Sequence, residues 1–166
     1  MKPEYLDQLW DWIQNTELSF QIGATWVFPL LESIHVLSVV FLFSSILVVD
    51  LRIMKVSALF YPTQQVYKEL VPWSWAAFTI SCASGLGLFI SRPAAYAENP
   101  AFQIKMCLLL LAGINLLFFN LKSSNRRVQE EEIIPHVLLR ESYQACLSIF
   151  IWASAIFAGR WIGHIN

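Results

Sequence analysis

Four long apolar runs, joined by short charged segments, dominate this chain. They cover about residues 28–49, 72–90, 101–121 and 143–163. A helix that crosses a bilayer needs roughly 20 mostly apolar residues, and each run is close to that length. The pattern predicts an all-α integral membrane protein, a four-helix bundle forming a single membrane domain over residues 1–166. A different pattern precedes the runs. Within residues 3–16, Leu6, Leu9, Trp10 and Ile13 recur at helical spacing, while Glu4, Asp7 and Asp11 take the opposite side. This reads as an N-terminal amphipathic helix lying in the membrane interface, with Pro3 suited to its first turn. Anchoring is its plain role, and docking of a partner subunit the other.

Composition agrees with the pattern. Apolar residues make up 57% and charged residues 14%, against about 25% charged in a soluble domain; the mean hydropathy is +0.54. The formal net charge is −1, and no basic run interleaves with aromatics, so nucleic acid is excluded as an expected partner. Lys2 is followed by Glu4, Asp7 and Asp11 with no apolar stretch between them. The first long run is therefore the expected insertion signal. Cys82, Cys107 and Cys146 lie in different runs, without disulfide or metal-site spacing, and read as buried apolar thiols.

The basic residues suggest an orientation. Arg52, Lys55, Lys68, Lys122, Arg126, Arg127 and Arg140 flank one set of run ends, and Lys2, Arg92, Lys105 and Arg160 the other. Positive charge favours the cytoplasmic side, so the two internal loops are expected inside and both termini outside the cytoplasm, in the periplasm if the host is a Gram-negative bacterium. Residues 122–140 read as a short solvated helix with ion pairs between Arg126, Arg127 and Glu130, Glu131, Glu132, interrupted by Pro135. Trp26, Trp73, Trp75 and Trp161 fall near run ends, as interfacial tryptophans do. Ser81, Ala83, Ser84, Gly85 and Gly87 would let helices approach closely.

Polar residues inside the runs carry the candidate chemistry. Glu32 and His35 are three apart and share one side of the first run. At 1.5 Å per residue they sit about 6 and 10 Å below Phe28, where a bare carboxylate must be protonated, hydrated or paired. Lys105, about 6 Å into the third run, Arg160 near the end of the fourth and Arg92 at the end of the second fall in the same outer half. The set has more positive than negative charge. It predicts a polar pocket for an anionic guest: a carboxylate, a phosphate, a haem propionate or a lipid headgroup. The simpler expectation is that Glu32 pairs with Lys105 or Arg160 and fixes helix register. Asn115, deeper in the third run, is expected to form an interhelical hydrogen bond. Asp50 and Arg52 are expected to pair with loop charges or to cap the interface.

The histidines offer a weaker alternative. His35, His136 and His164 fall at different depths, so a bis-histidine haem does not fit; a single-histidine haem b on His35, or a metal site on Glu32 and His35, remains an alternative. No Ser–His or Cys–His pair falls at one depth, which argues against a hydrolase and leans away from an enzyme.

The order Glu32-x-x-His35, Asp50-Leu51-Arg52, Ala101-Phe102 with Lys105, Ala112-Gly113-x-Asn115 and Gly159-Arg160-Trp161-Ile162-Gly163 resembles a family of small bacterial four-helix inner-membrane proteins of unknown function. More remotely it is similar to membrane proteins of the copper-resistance D type. The resemblance covers about residues 26–163. It implies a four-helix bundle with a polar patch, and directs attention to Glu32, His35, Lys105, Asn115 and Arg160. The chain departs from the copper pattern in lacking paired in-membrane histidines and a Met-rich stretch. Three functions stay open. One is a small transporter or membrane subunit that binds an anionic small molecule or lipid. Another is a membrane redox subunit handling haem b or quinone. The third is a structural or assembly partner, as a homo-oligomer or within a membrane complex.

Overall fold

The computed structural model describes residues 4–54, 63–126 and 135–164, and every element among them is helical. In chain order these are α1 (Glu4–Gln14), α2 (Glu17–Ala24), α3 (Val27–Ile53), α4 (Thr63–Ser91), α5 (Pro93–Glu98), α6 (Pro100–Arg126) and α7 (Pro135–Trp161). Three segments are long and apolar enough to cross a membrane: Val27–Ile53, Pro72–Ser91 and Ser142–Trp161. The helix α6 is as long as α3 and α7, and its described apolar stretch is Pro100–Asn115. Residues 55–62 and 127–134 lie outside the described residues, and so do the ion pairs expected between Arg126, Arg127 and Glu130, Glu131, Glu132.

The long helices meet through small side chains at alternating spacings of three and four. Among the described residues the buried positions on α3 are Ser38, Leu42, Ser45 and Asp50; on α4, Ala77, Ser81, Ser84 and Ser91; on α6, Ala101 and Ala112; on α7, Ala145, Ser148, Ile151 and Ala155. A repeat near 3.5 keeps one seam of each helix facing its neighbour. Alanine and serine on that seam let backbones approach closely. Three of these serine hydroxyls are satisfied within their own helices: Ser38 donates to the His35 carbonyl, Ser45 to Phe41 and Ser84 to Ile80. So α3 packs along α4, α6 along α7, and α3 against α7. Large apolar residues such as Leu37, Val40, Phe41, Leu86, Leu110 and Phe150 point outward, the reverse of a water-soluble fold. Cys82, Cys107 and Cys146 are exposed as well, not buried as the sequence reading expected, because they fall off the packing seams.

One end is closed by the short helices. The segment expected as a single amphipathic helix over 3–16 is α1, and a second helix, α2, follows it. Thr16 starts α2 by accepting the Ser19 N–H on its hydroxyl at 3.2 Å, with Glu17 in the first turn. Ser19 and Ile22 are buried where α2 packs on α4, and the Ser19 hydroxyl reaches the Ser91 carbonyl at 3.4 Å. Arg92 breaks α4, and the buried Pro93 opens α5 at a position where a missing N–H is tolerated. Further back, α4 runs through Pro72 from Thr63, so the helix extends beyond the apolar run expected from residue 72.

Asn99 ties this end together. Its side-chain oxygen accepts from Ala101 N at 2.9 Å and Phe102 N at 3.3 Å, capping α6. Its amide donates to the Ile162 carbonyl just beyond α7 at 3.1 Å. Asn99→Ala removes the cap and this cross-link together. We expect a loss of about 0.5–2 kcal/mol, measured as a lower unfolding midpoint in detergent micelles; an unchanged midpoint would count against the cap.

Candidate functional site

His35 lies half-buried on the α3 side that faces α4. Two features of α4 hold its ring. A methyl group on Gly85 would come within 3.1 Å of His35 Cε1, so the glycine makes room for the imidazole. One turn back, the Ser81 carbonyl oxygen stands 2.9 Å from His35 Nδ1, with Ser84 Oγ at 3.2 Å. A carbonyl can only accept, so Nδ1 carries the proton, and in the neutral ring Nε2 offers the lone pair.

That lone pair faces Lys105. The Lys105 ammonium on α6 donates toward His35 Nε2 across a long contact of 3.4 Å. The lysine stem runs over Gly159 of α7, where an added methyl would stand 3.4 Å from both Cδ and Nζ. A doubly protonated His35 would turn an N–H toward the ammonium, so the geometry suits the neutral ring. The result is a directed chain: Lys105 Nζ–H to His35 Nε2, His35 Nδ1–H to Ser81 and Ser84, Ser84 O–H to Ile80. Its members come from α3, α4 and α6, and its seat from α7.

Above the pair, toward the α5 end, lies a cluster of aromatic rings. Phe89 stacks on Phe102 with centroids 5.5 Å apart and meets Trp10 edge-on at 5.7 Å. Tyr96 completes the set at 6.0 Å from Phe102. Phe89 is one turn beyond Gly85 and Phe102 one turn before Lys105, so the rings lie about one turn from the site along both helices. They join α1, α4, α5 and α6, which no run of apolar residues could have foretold.

The other predicted residues are not brought into this set. Glu32 is exposed. Three residues on an α-helix turn about 300°, leaving it some 60° from His35, enough to place it on the rim. Its expected pairing with Lys105 or Arg160 is therefore replaced by the lysine–imidazole contact. Glu32 instead acts on Tyr96: burial raises that phenol above its ordinary value, the nearby Arg92 opposes the rise, and Glu32 adds to it. Arg92 is exposed beyond the end of α4, about 10 Å along the helix from Gly85. It lines an open groove of about 310 Å³ between α2, α4 and α5, together with Gln14, Ser19 and Phe20. Arg160 is exposed on the last turn of α7. Asn115 is ten residues beyond Lys105, roughly 15 Å away along α6. His164 packs edge-on against Trp161 at 6.1 Å, on the exterior. Among the described residues, no three His, Cys, Asp or Glu side chains converge.

A family model matches residues 9–165. The chain belongs to this family of unknown function, DUF6644. Neither a curated protein nor a solved structure matches the chain. Its functional residues must then be argued from geometry. Sequence reasoning missed Ser81 and Ser84 as histidine partners, and Gly85 and Gly159 as the seats of the two side chains. The signal was present: each glycine shares the three-and-four spacing of the buried small residues on its helix.

His35→Ala removes the acceptor and leaves the Lys105 ammonium half-buried without one. We expect a loss of about 1–3 kcal/mol. In a Lys105→Met background the same change should cost less, with a coupling of about 0.5–3 kcal/mol. Unfolding in micelles measures both, and equal costs in the two backgrounds would show that the contact carries no energy.

Proposed function

We propose that the protein is an integral membrane protein with α6 as its fourth span, in which Lys105 and His35 form the floor of a site for an anionic ligand. It acts as a small transporter or as a ligand-binding membrane subunit. The carrying observation is the partner of Lys105. A cation taken into an apolar interior is ordinarily matched by a carboxylate; here it meets a neutral imidazole 3.4 Å away, and the candidate carboxylate, Glu32, is exposed. The pair is one negative charge short. Arg92 and Arg160 add positive charge around the same end, which draws an anion toward it. The aromatic rings that roof the site limit what can enter to a small group, or to one that displaces them. The excess of basic residues around the two internal loops supports placing that end outside the cytoplasm, in a bacterial inner membrane with both termini outside. The likeness to copper-resistance D-type proteins adds no ligand to this reading, because His35 has no second histidine beside it.

A second reading has an observation of its own. Metal-ligating histidines characteristically donate the other ring N–H to a carbonyl, which fixes the free nitrogen. His35 does this through Ser81. Its Nε2 could then ligate a haem b iron if Lys105 swung aside.

Two measurements separate these. Calorimetric titration of the detergent-purified protein with acetate, inorganic phosphate and dispersed phosphatidylglycerol should reveal one anion that binds, with affinity falling about tenfold to a hundredfold in Lys105→Met, the loss of one charge-assisted hydrogen bond. Equal binding by both proteins, or binding of none of the three by the wild type, rejects the anion site. A Soret band in protein expressed with haem supplied, abolished by His35→Ala, would favour the redox reading.

A further inference from the structure

Asp50 was expected to pair with loop charges or cap the interface. It is instead buried, with 7% of its surface exposed, near the opposite end of α3 from the aromatic rings. Ser148 of α7 hydrogen-bonds its carboxyl. The other oxygen, Oδ2, is buried with no hydrogen-bond partner. Arg52 is two residues on, about 200° round the helix. Among the described residues of the elements packed on α3, α4 brings Glu69 toward this level and α7 brings Tyr143 and Cys146, all three exposed; α2 packs at the far end.

A carboxylate presents about four acceptor positions. Leaving most of them unfilled in an apolar interior is costly for a charged carboxylate and far less so for a neutral acid. A metal cation would need several oxygen ligands. Among the described residues, no group of three His, Cys, Asp or Glu side chains gathers to supply them. The guest that fits one buried carboxyl and one hydroxyl is a proton.

We propose that Asp50, with Ser148, is a proton-binding site within the membrane, separate from the Lys105–His35 site. The inference rests on reading α3 as a membrane span. The two sites are 15 residues apart on α3, about 22 Å. Leu42 separates the hydroxyls of Ser38 and Ser45, each of which donates into its own helix. Among the described residues, no continuous hydrogen-bond chain joins the sites along this seam. A membrane protein with an anion site toward one face and a proton site toward the other has the parts needed for proton-linked uptake or release of that anion.

Infrared spectroscopy in vesicles of phosphatidylcholine and phosphatidylglycerol tests the site. At about pH 6 a solvent-exposed carboxyl is ionised. The wild type should show a protonated carboxylic-acid C=O band there, shifted by exchange into D2O. Asp50→Asn should remove it. Ser148→Ala should keep it at a changed frequency, because the band loses its hydrogen-bond partner. Identical acid-carbonyl regions in wild type and Asp50→Asn overturn the proposal, and so does a band that Ser148→Ala leaves unmoved. The span reading is checked separately in the same vesicles. Cys82 and Cys107, exposed on their helices, should react with a lipid-soluble maleimide and resist a water-soluble one. Labelling by the water-soluble reagent ends the span reading and leaves the infrared result to stand by itself.

Discussion

The contact between Lys105 and His35 is the point at which all four long helices meet. The imidazole needs an acceptor for Nδ1, and α4 supplies the Ser81 carbonyl. The ring needs room, and Gly85 supplies it. The ammonium needs an acceptor, which the oriented ring provides, and a surface for its stem, which Gly159 provides on α7. Moving one helix by an ångström or two breaks a hydrogen bond of a half-buried polar group, at a cost close to a kilocalorie or more. Apolar packing of alanine against serine is less particular about register. The polar pair therefore selects one alignment among many that small residues would allow.

The same economy explains where charge is tolerated. Glu32 and His35 are near neighbours on one helix side, yet one is on the rim and the other inside. A ring with a donor and an acceptor on opposite edges can be satisfied between two helices; a carboxylate has only acceptors and needs donors or water on every side. Asp50 is the exception, a carboxyl inside the fold with Ser148 as its partner. Exceptions of this kind in membrane interiors are functional candidates before they are structural ones.

The end of the molecule nearest the site is built differently from the rest. Its helices are short, and it is joined by aromatic rings, by Asn99 between the ends of α6 and α7, and by α2 lying on Ser91. The groove beside Arg92 opens at the same end.

By itself, the sequence determined the long apolar helices, the amphipathic start and the presence of polar groups inside the apolar runs, because those follow from hydrophobic runs and periodicity along one chain. It also marked His35 and Lys105 as out of place in their runs. It could not decide which polar groups meet. Residue counting gives depth along a helix to a few ångströms, but the angle about each axis depends on how neighbouring helices pack. Glu32 and Arg160 lie within about a turn of His35 and of the Lys105 seat along their helices and still face outward, and Arg92 lies about 10 Å further out. The helix α2, the seats at Gly85 and Gly159 and the burial of Asp50 were likewise settled by contacts between segments far apart in the chain, where the close approach of small residues fixes each rotation.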